Sequence, residues 1–584
     1  MKLIKSYFVM PCLVPALAAS LFAQSAQISY VRTTIGLPGA TSAPYCIPWI
    51  DSGAKAGTAW AATSSYIEIF PDSEYQVIEG FGGCFQEKMF DAIHHLSAAG
   101  QDSVIRALFD TSGCNFNFCR MPLGANDFAD SYYSFDDDSA DYQMKYFNLH
   151  RDSLKLIPLI RQAQVYKPNL RFWASPWTPP AWMKSNDNYA DGTIKEDSAT
   201  LAAYALYLDK AVRTFQAKGI TIESITCQNE PSQNSENYPT CGWTYSQEIN
   251  FYHNFMIPRF KQDSVTARII LGVYCCEDYT DFVTDFMQDS VIAGFVNVIS
   301  HSFEDPGWGP QAVASYPAIP FYETESNFGT IGAATQVQDW AAGWTIFTSE
   351  MPFLSTGRAS VYDQWNMVNN QTSQSGWGWA QYVMINVDTA ALQVTYNPEF
   401  YAQKHLSYYV QAGARAVKFT TNNISNLTSA AFRNPNGDII FVAGNGSSGA
   451  TPITIKIGSE MFAATLPANS INTLRIVGTN AVREREFTSA LPTLSNVRIR
   501  NAMLYFSLSP SINAREVDLT LADLQGRAVW TGHRAGNALR GGQQAIGIRP
   551  AHGNLPSGSY LLTVKIRNEA GAVMTVEKKV MEAN

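Results

Sequence analysis

Eight short apolar runs, separated mostly by helix-length stretches, predict a (β/α)8 barrel, an α/β fold, over roughly residues 70–415. Three observations carry that prediction. The runs are QVIEGFGG (76–83), FNFCRMPL (116–123), LRFWASPW (170–177), ESITCQNE (223–230), RIILGVYC (268–275), VNVISHSF (296–303), IPFYETES (319–326) and SVYDQWNM (360–367), with starts 23 to 54 residues apart. They are nearly continuous in apolar character, as parallel strands covered on both faces must be. Polar and aromatic residues gather at their C-terminal ends, where barrels of this kind build their sites: Arg120, Trp177, Asn229, Glu230, His301, Glu325 and Trp365.

The intervals supply the helices. LAAYALYLDKAVRTFQAKG (201–219) repeats its Leu, Tyr and Ala positions at three and four, the helical period. Between the sixth and seventh runs the spacing is too short for a helix to be assigned. GFGG (80–83) reads as a tight turn, since it lacks the GxGxxG spacing that a doubly wound sheet would place after its first strand. Outside the barrel the period drops to two. TIKIGSEMFAATLPANSINTLRIV (454–477) alternates with Gly and Asn turns, which predicts a side β-sandwich over 416–480 joined by N-terminal strands from 26–69. AVREREFTSALPTLSN (481–496) reads as a linker, and 497–584 as an all-β C-terminal module.

Composition narrows the function classes. The 584 residues are 46% hydrophobic, 12% aromatic and 16% charged, which suits large cores in an exported protein and not a disordered chain. Residues 1–25 have lysines at 2 and 5, an apolar run from Tyr7 to Phe22 and small residues at Ala23, Ser25 and Ala26, the pattern of a secretory signal peptide. That run contains Pro11 and Pro15 and is shorter than the ~20 residues of a membrane span, and no transmembrane span is expected elsewhere. Without the leader the formal charge moves from -9 to about -11, with 39 basic residues against 50 acidic, so nucleic acid is excluded as a partner. The eight cysteines after the leader show no CxxC, no histidine pair matches HExxH, and FDDDSAD (135–141) lacks the glycine and terminal glutamate of a calcium loop. No metal or other cofactor is expected.

Glu230 and Glu325 lie 95 residues apart, at the ends of the fourth and seventh runs, and would face each other across the barrel mouth. Paired carboxylates are the equipment for cleaving a glycosidic bond. One protonates the leaving oxygen; the other attacks the anomeric carbon at about 5–5.5 Å in retaining enzymes, or activates a water across a wider gap in inverting ones. Spacing in sequence leaves that choice open. It also leaves open whether Glu323 or Glu325 is the second carboxylate, since both would share a face in a regular strand. A non-catalytic carbohydrate-binding barrel displayed at the cell surface is the alternative of a different class, and it would not require both glutamates.

EGFGGCFQE, FCRMPLGANDF, ASPWTPPAWMKSN, CQNEPSQNSENYPT, YETESNFG and QWNMVNN followed by GWGWAQ resemble, in order and spacing, the glycoside hydrolase family 30 enzymes over roughly residues 30–478. The resemblance implies a (β/α)8 barrel with a side β-sandwich built from both chain ends. It also implies retention, with Glu230 of QNEP as acid/base and Glu325 of TES as nucleophile. Around them it implies Arg120 holding Glu325 ionised, Asn229 on the sugar 2-hydroxyl, and Asp127, Trp177 and Trp365 at the substrate, with His301 a further substrate contact. One departure is HSF (301–303) where the family commonly has an aromatic hydroxyl, which removes a phenol from the expected surroundings of the nucleophile. The expected partner is a β-linked oligo- or polysaccharide, β-1,6-glucan ahead of xylan or glucosylceramide. The C-terminal unit, with LADLQGRAV, LPSGSYLLTV and KKV in order, resembles the sorting modules of secreted bacterial proteins and implies secretion machinery as a partner and a secreted or cell-surface location.

Overall fold

The computed structural model describes residues 27–35, 46–55, 66–274, 279–302, 306–326, 340–424, 427–458, 460–477, 494–500, 503–522, 528–535, 540–547, 559–568 and 573–581. The expected leader, most of the expected linker, and Cys275 with Cys276 lie outside the described residues. Eight parallel strands close into a barrel: β1 (Gly80–Cys84), β2 (Phe118–Pro122), β3 (Arg171–Ser175), β4 (Ile222–Ile225), β5 (Arg268–Leu271), β6 (Val296–Ser302), β7 (Phe321–Ser326) and β8 (Ala359–Asn366). Each falls within or overlaps one of the eight apolar runs. β8 pairs with β1 to complete the ring.

GFGG is strand, not turn. Those glycines are the body of β1, and they are needed because atoms of the neighbouring strands and loops are too near for a side chain. A Cβ on Gly82 would lie 1.5 Å from the Phe118 carbonyl oxygen of β2, and one on Gly80 would lie 2.3 Å from Asn117 Oδ1.

Inside the barrel Phe118, Trp173, Ile270, Val273, Val298, Tyr322 and Val361 form a filled apolar layer, so the barrel is a packed core and not a pore. Its lower end is closed by Arg171, which bonds Glu79 at 2.9 Å and Glu223 at 2.7 Å, and by the Tyr322 hydroxyl, which donates to Glu79 at 2.8 Å. Among the described residues, the open end is thus the one at the C-terminal ends of the strands. The helix expected over 201–219 runs from Ser198 to Ala217, capped by Asp197, whose side chain accepts the Thr200 amide at 3.0 Å. The short interval after β6 does hold a helix, Trp308–Ser315. Its proline, Pro310, sits in the first turn, where a missing N–H costs nothing.

The side sheet has nine strands drawn from both ends of the first compact unit, residues 1–481. Gln27–Ile35 pairs antiparallel with Ser470–Val477, and Tyr66–Ile78 pairs with Ala414–Asn422 and Thr451–Ile457. Residues 70–78 therefore belong to the side sheet, and barrel strands begin at Gly80. The reason is strand pairing: Phe70, Glu74, Val77 and Ile78 lie opposite Lys418, Val417, Arg415 and Ala414, continuing the strand that buries Ile67 and Ile69 in that sheet. Among the described residues the second unit, 482–584, has six strands, from Leu494–Arg500 to Val573–Met581, centred on the long strand Met503–Ala522.

Candidate active site

Strand alternation aims the site residues. On β2, Phe118 and Arg120 point into the barrel while Cys119 and Met121 join the core under the helices. Arg120 is 0% exposed, and a buried cation is costly unless every donor is used. Its Nη1 donates to Glu325 and its Nη2 to Asn229 Oδ1, while Nε and Nη2 bond Ser175 Oγ at 3.0 and 2.9 Å. Three indoles surround the guanidinium, with its carbon 4.5 Å from the Trp173 ring, 4.4 Å from Trp177 and 5.1 Å from Trp365. Asn229 and Glu325, from opposite sides of the sequence, are thereby held by one side chain.

β7 separates the two candidate glutamates. Its pairing with β6 and β8 slips between Glu323 and the following residues, an irregularity that resets the alternation. Tyr322 faces the barrel interior. Glu323 lies on the other face, where its charge, together with that of Glu350, acts on the buried Tyr362 phenol beneath the helix Trp340–Ser355. Glu325 returns to the interior and meets Arg120. Burial raises the Glu325 carboxyl above the usual carboxylate range, and Arg120 acts against that by stabilising the charge.

β4 is short, and the rest of ITCQNEPS is an extended tip tied to both neighbours. The Asn229 amide donates to the Pro176 carbonyl at 2.7 Å, and the Glu230 amide to the Val273 carbonyl at 3.0 Å. Glu230 has φ +42°, a left-handed conformation rare outside glycine, held by these two bonds and by the Gln233 amide on its own carbonyl at 2.8 Å. Asn229 Nδ2 lies 3.4 Å from Glu230 Oε2, so the tip places Asn229 between the guanidinium and the second carboxylate.

Trp177 and Trp365 stack at 5.1 Å and 26°, and with Cys84 and Phe128 make a buried cluster against which Tyr238 packs. Asp127 is buried on the loop after β2, and its Oδ1 makes no hydrogen bond to the protein. Burial, and next the Glu325 charge, hold its carboxyl well above the carboxylate range. His301 is buried near the end of β6, its ring 3.9 Å from that of Trp308 at the start of the following helix. So Arg120, Asn229, Glu230, Glu325, Trp177 and Trp365 converge, Asp127 feels the Glu325 charge, and His301 has a ring contact with Trp308.

Sequence reasoning missed Ser175, Trp173 and Asp363. The Trp173 indole donates to Asp363 Oδ2 at 2.7 Å, while Asp363 Oδ1 is buried without a protein bond, and burial pushes this carboxyl up to about 8. The signal was present, because Asp363 precedes Trp365 by two on a strand and so shares its face. The described cysteines Cys84, Cys114, Cys119, Cys227 and Cys241 are buried free thiols.

With two carboxylates, a guanidinium and indoles at the open end of a barrel, the site has the groups that glycosidic cleavage requires. The sequence model of the glycosyl hydrolase family 30 TIM-barrel domain matches residues 78–410, more than half of the chain. The chain belongs to glycosyl hydrolase family 30. The family's β-sandwich domain matches residues 413–474. This glycoside hydrolase is similar to endo-1,6-β-D-glucanase BGN16.3 of Trichoderma harzianum, 26% identical over 433 residues covering 68% of this chain and 84% of that one. It is also similar to lysosomal acid glucosylceramidase of Mus musculus, 25% identical over 435 residues covering 70% and 83%. In fold the family 30 chain is similar to SrfJ from Salmonella typhimurium, with TM-score 0.70 and 21% identity over 77% of this chain and 99% of that one. The endo-β1,6-glucanase BT3312 has TM-score 0.66 and 20% identity over 77% and 100%.

Proposed function

We propose that this family 30 glycoside hydrolase is an exported retaining β-glycosidase that cleaves β-linked glucan, β-1,6-glucan above all, by double displacement. The observation that carries the reading is the single guanidinium of Arg120 holding both Glu325 and Asn229, the neighbour of Glu230. Glu325 would attack the anomeric carbon, forming a carboxylate ester as the glycosidic C–O bond breaks, while Glu230 gives its proton to the departing oxygen. Glu230 would then take a proton from water, whose oxygen displaces Glu325 and restores both groups. Arg120 keeps Glu325 available as an anion despite burial. Asn229 would donate to the sugar 2-hydroxyl, Asp127 would take a sugar hydroxyl on the oxygen left without a protein bond, and Trp177 and Trp365 would pack on the ring.

The choice of glucan is supported by the relatives named endo-1,6-β-D-glucanase. Export is supported by the leader at residues 1–25 and by the C-terminal module, read as a sorting unit that engages secretion machinery. Cell fractionation checks that part, and recovery of the intact chain only in the cytoplasm would reject it. The catalytic part is tested on β-1,6-glucan, glucosylceramide and glucuronoxylan, beside Glu230→Gln and Glu325→Gln, with product anomers followed by NMR. The expected result is cleavage of β-1,6-glucan with a retained anomer and a loss of about 10³-fold or more in each variant. An inverted product would sink the mechanism.

A further inference from the structure

The loops around the barrel mouth carry large aromatic rings that the two-carboxylate chemistry does not use. Tyr132 follows β2, Tyr189 follows β3, Tyr238 follows β4, and Trp377 and Trp379 follow β8; all five are half-buried. They form two groups. Tyr238, which packs against the Trp177–Trp365 cluster, meets Trp379 edge to face at 5.1 Å and 70°. Trp377, Tyr132 and Tyr189 make a second row, with ring centroids 4.1 and 5.5 Å apart.

These rings are held in place by hydrogen bonds to neighbouring loops. The Trp377 indole donates to the Asn126 carbonyl at 3.1 Å, and the Gly376 amide to the Asp127 carbonyl at 3.1 Å, so the β8 loop is fastened to the backbone of Asn126 and Asp127. The Ser375 amide donates to the Trp379 carbonyl at 2.7 Å, closing the loop that presents both tryptophans. The Tyr189 hydroxyl donates to Asp137. Ordered aromatic faces left partly open beside a site are a cost to a soluble protein unless a ligand covers them. The C–H faces of β-linked pyranose rings are such a ligand, and the Asp137 carboxylate beside Tyr189 favours a neutral chain over one bearing glucuronate.

We propose that Tyr238 and Trp379 form a second sugar-binding subsite, continued by Trp377, Tyr132 and Tyr189, so that the enzyme binds several consecutive sugars of a neutral β-glucan and cleaves within the chain. This rests on the reading of the site as a β-glucan hydrolase. The test compares linear β-1,6-linked gluco-oligosaccharides of two to six units with an aryl β-glucoside, in the full-length protein and in Tyr238→Ala, Trp379→Ala and Trp379→Phe. In the unaltered enzyme kcat/KM rises with chain length. The ratio of kcat/KM on the hexamer to that on the aryl glucoside falls about tenfold or more in each alanine variant, as the loss of roughly 1.4 kcal/mol of stacking requires, and recovers in large part in Trp379→Phe. A flat dependence on chain length, or an unchanged ratio in both alanine variants, overturns the subsite. Calorimetric binding of the hexamer separates the two readings. Binding weakened in Trp379→Ala without any hydrolysis by the parent supports the subsite while rejecting the catalytic reading, and equal binding by parent and variant rejects the subsite alone.

Discussion

At the scale of single residues, Arg120 decides the site. Its donors are divided among Glu325, Asn229 and Ser175, and its flat faces are covered by Trp173, Trp177 and Trp365, an arrangement that a lysine ammonium cannot copy. Arg120→Lys is expected to lower kcat by about 10²-fold. Because Arg120 acts to lower the Glu325 proton affinity, the acidic limb of the pH–rate profile should also move to higher pH. An unshifted limb would remove Arg120 from that role. Asp363 makes a different prediction. Burial raises it to about 8, against an unfolded value of ~3.9, so across that window the folded protein keeps a proton the unfolded chain has released. Its contribution to stability is full below ~4 and is lost as pH rises through about 8. Asp363→Asn keeps an acceptor for the Trp173 indole and abolishes this titration. Denaturant unfolding should show the variant gaining about 1–3 kcal/mol on the parent between pH 5 and pH 8, and a constant difference would contradict it.

At the scale of elements, two local features make a barrel into a site. The first is the contact between β1 and β2 across Gly82, where a Cβ would meet the Phe118 carbonyl oxygen at 1.5 Å. Gly82→Ala must push the strands apart beside Arg120, and thermal unfolding should reveal a loss of about 3 kcal/mol or more. The second is the irregularity in β7, which turns Glu323 and Glu325 to opposite faces. Glu323→Gln should therefore leave cleavage within a few-fold of the parent while Glu325→Gln abolishes it. Equal losses would mean that the two glutamates act on one face.

At the scale of the whole molecule, the chain forms two compact units, with the candidate site wholly within residues 1–481. A chain ending at Ala481 is expected to hydrolyse soluble oligosaccharides at the rate of the full chain, and a large drop in kcat would show that the C-terminal unit supports the site. The N-terminal strands are a different case. Gln27–Ile35 pairs with Ser470–Val477 along eight residue pairs, so deletion of that strand should lower the melting temperature of the first unit.

Much of this was legible in the sequence. The eight strands were readable because a parallel strand covered on both faces must be a short apolar run, and the positions of Arg120, Asn229, Glu230 and Glu325 followed from where those runs end. Residues that act as types, a glutamate before proline or a tryptophan after Ser-Pro, declare themselves in one dimension. What needed three dimensions were the facts that depend on a neighbour distant in sequence. GFGG became a strand whose Gly82 has no room for a side chain against the Phe118 carbonyl, and the start of the barrel moved to Gly80 because Phe70 to Ile78 pair with Ala414 to Lys418 in the side sheet. Asp363 mattered only once Trp173 lay across from it, and the contact of His301 with Trp308 needed the fold to be seen. The sequence by itself determined which chemical groups stand at the mouth of the barrel. The tertiary structure decided which of them meet, because register slips and close backbone approaches are set by the strand alongside and leave no periodic trace in the chain that carries them.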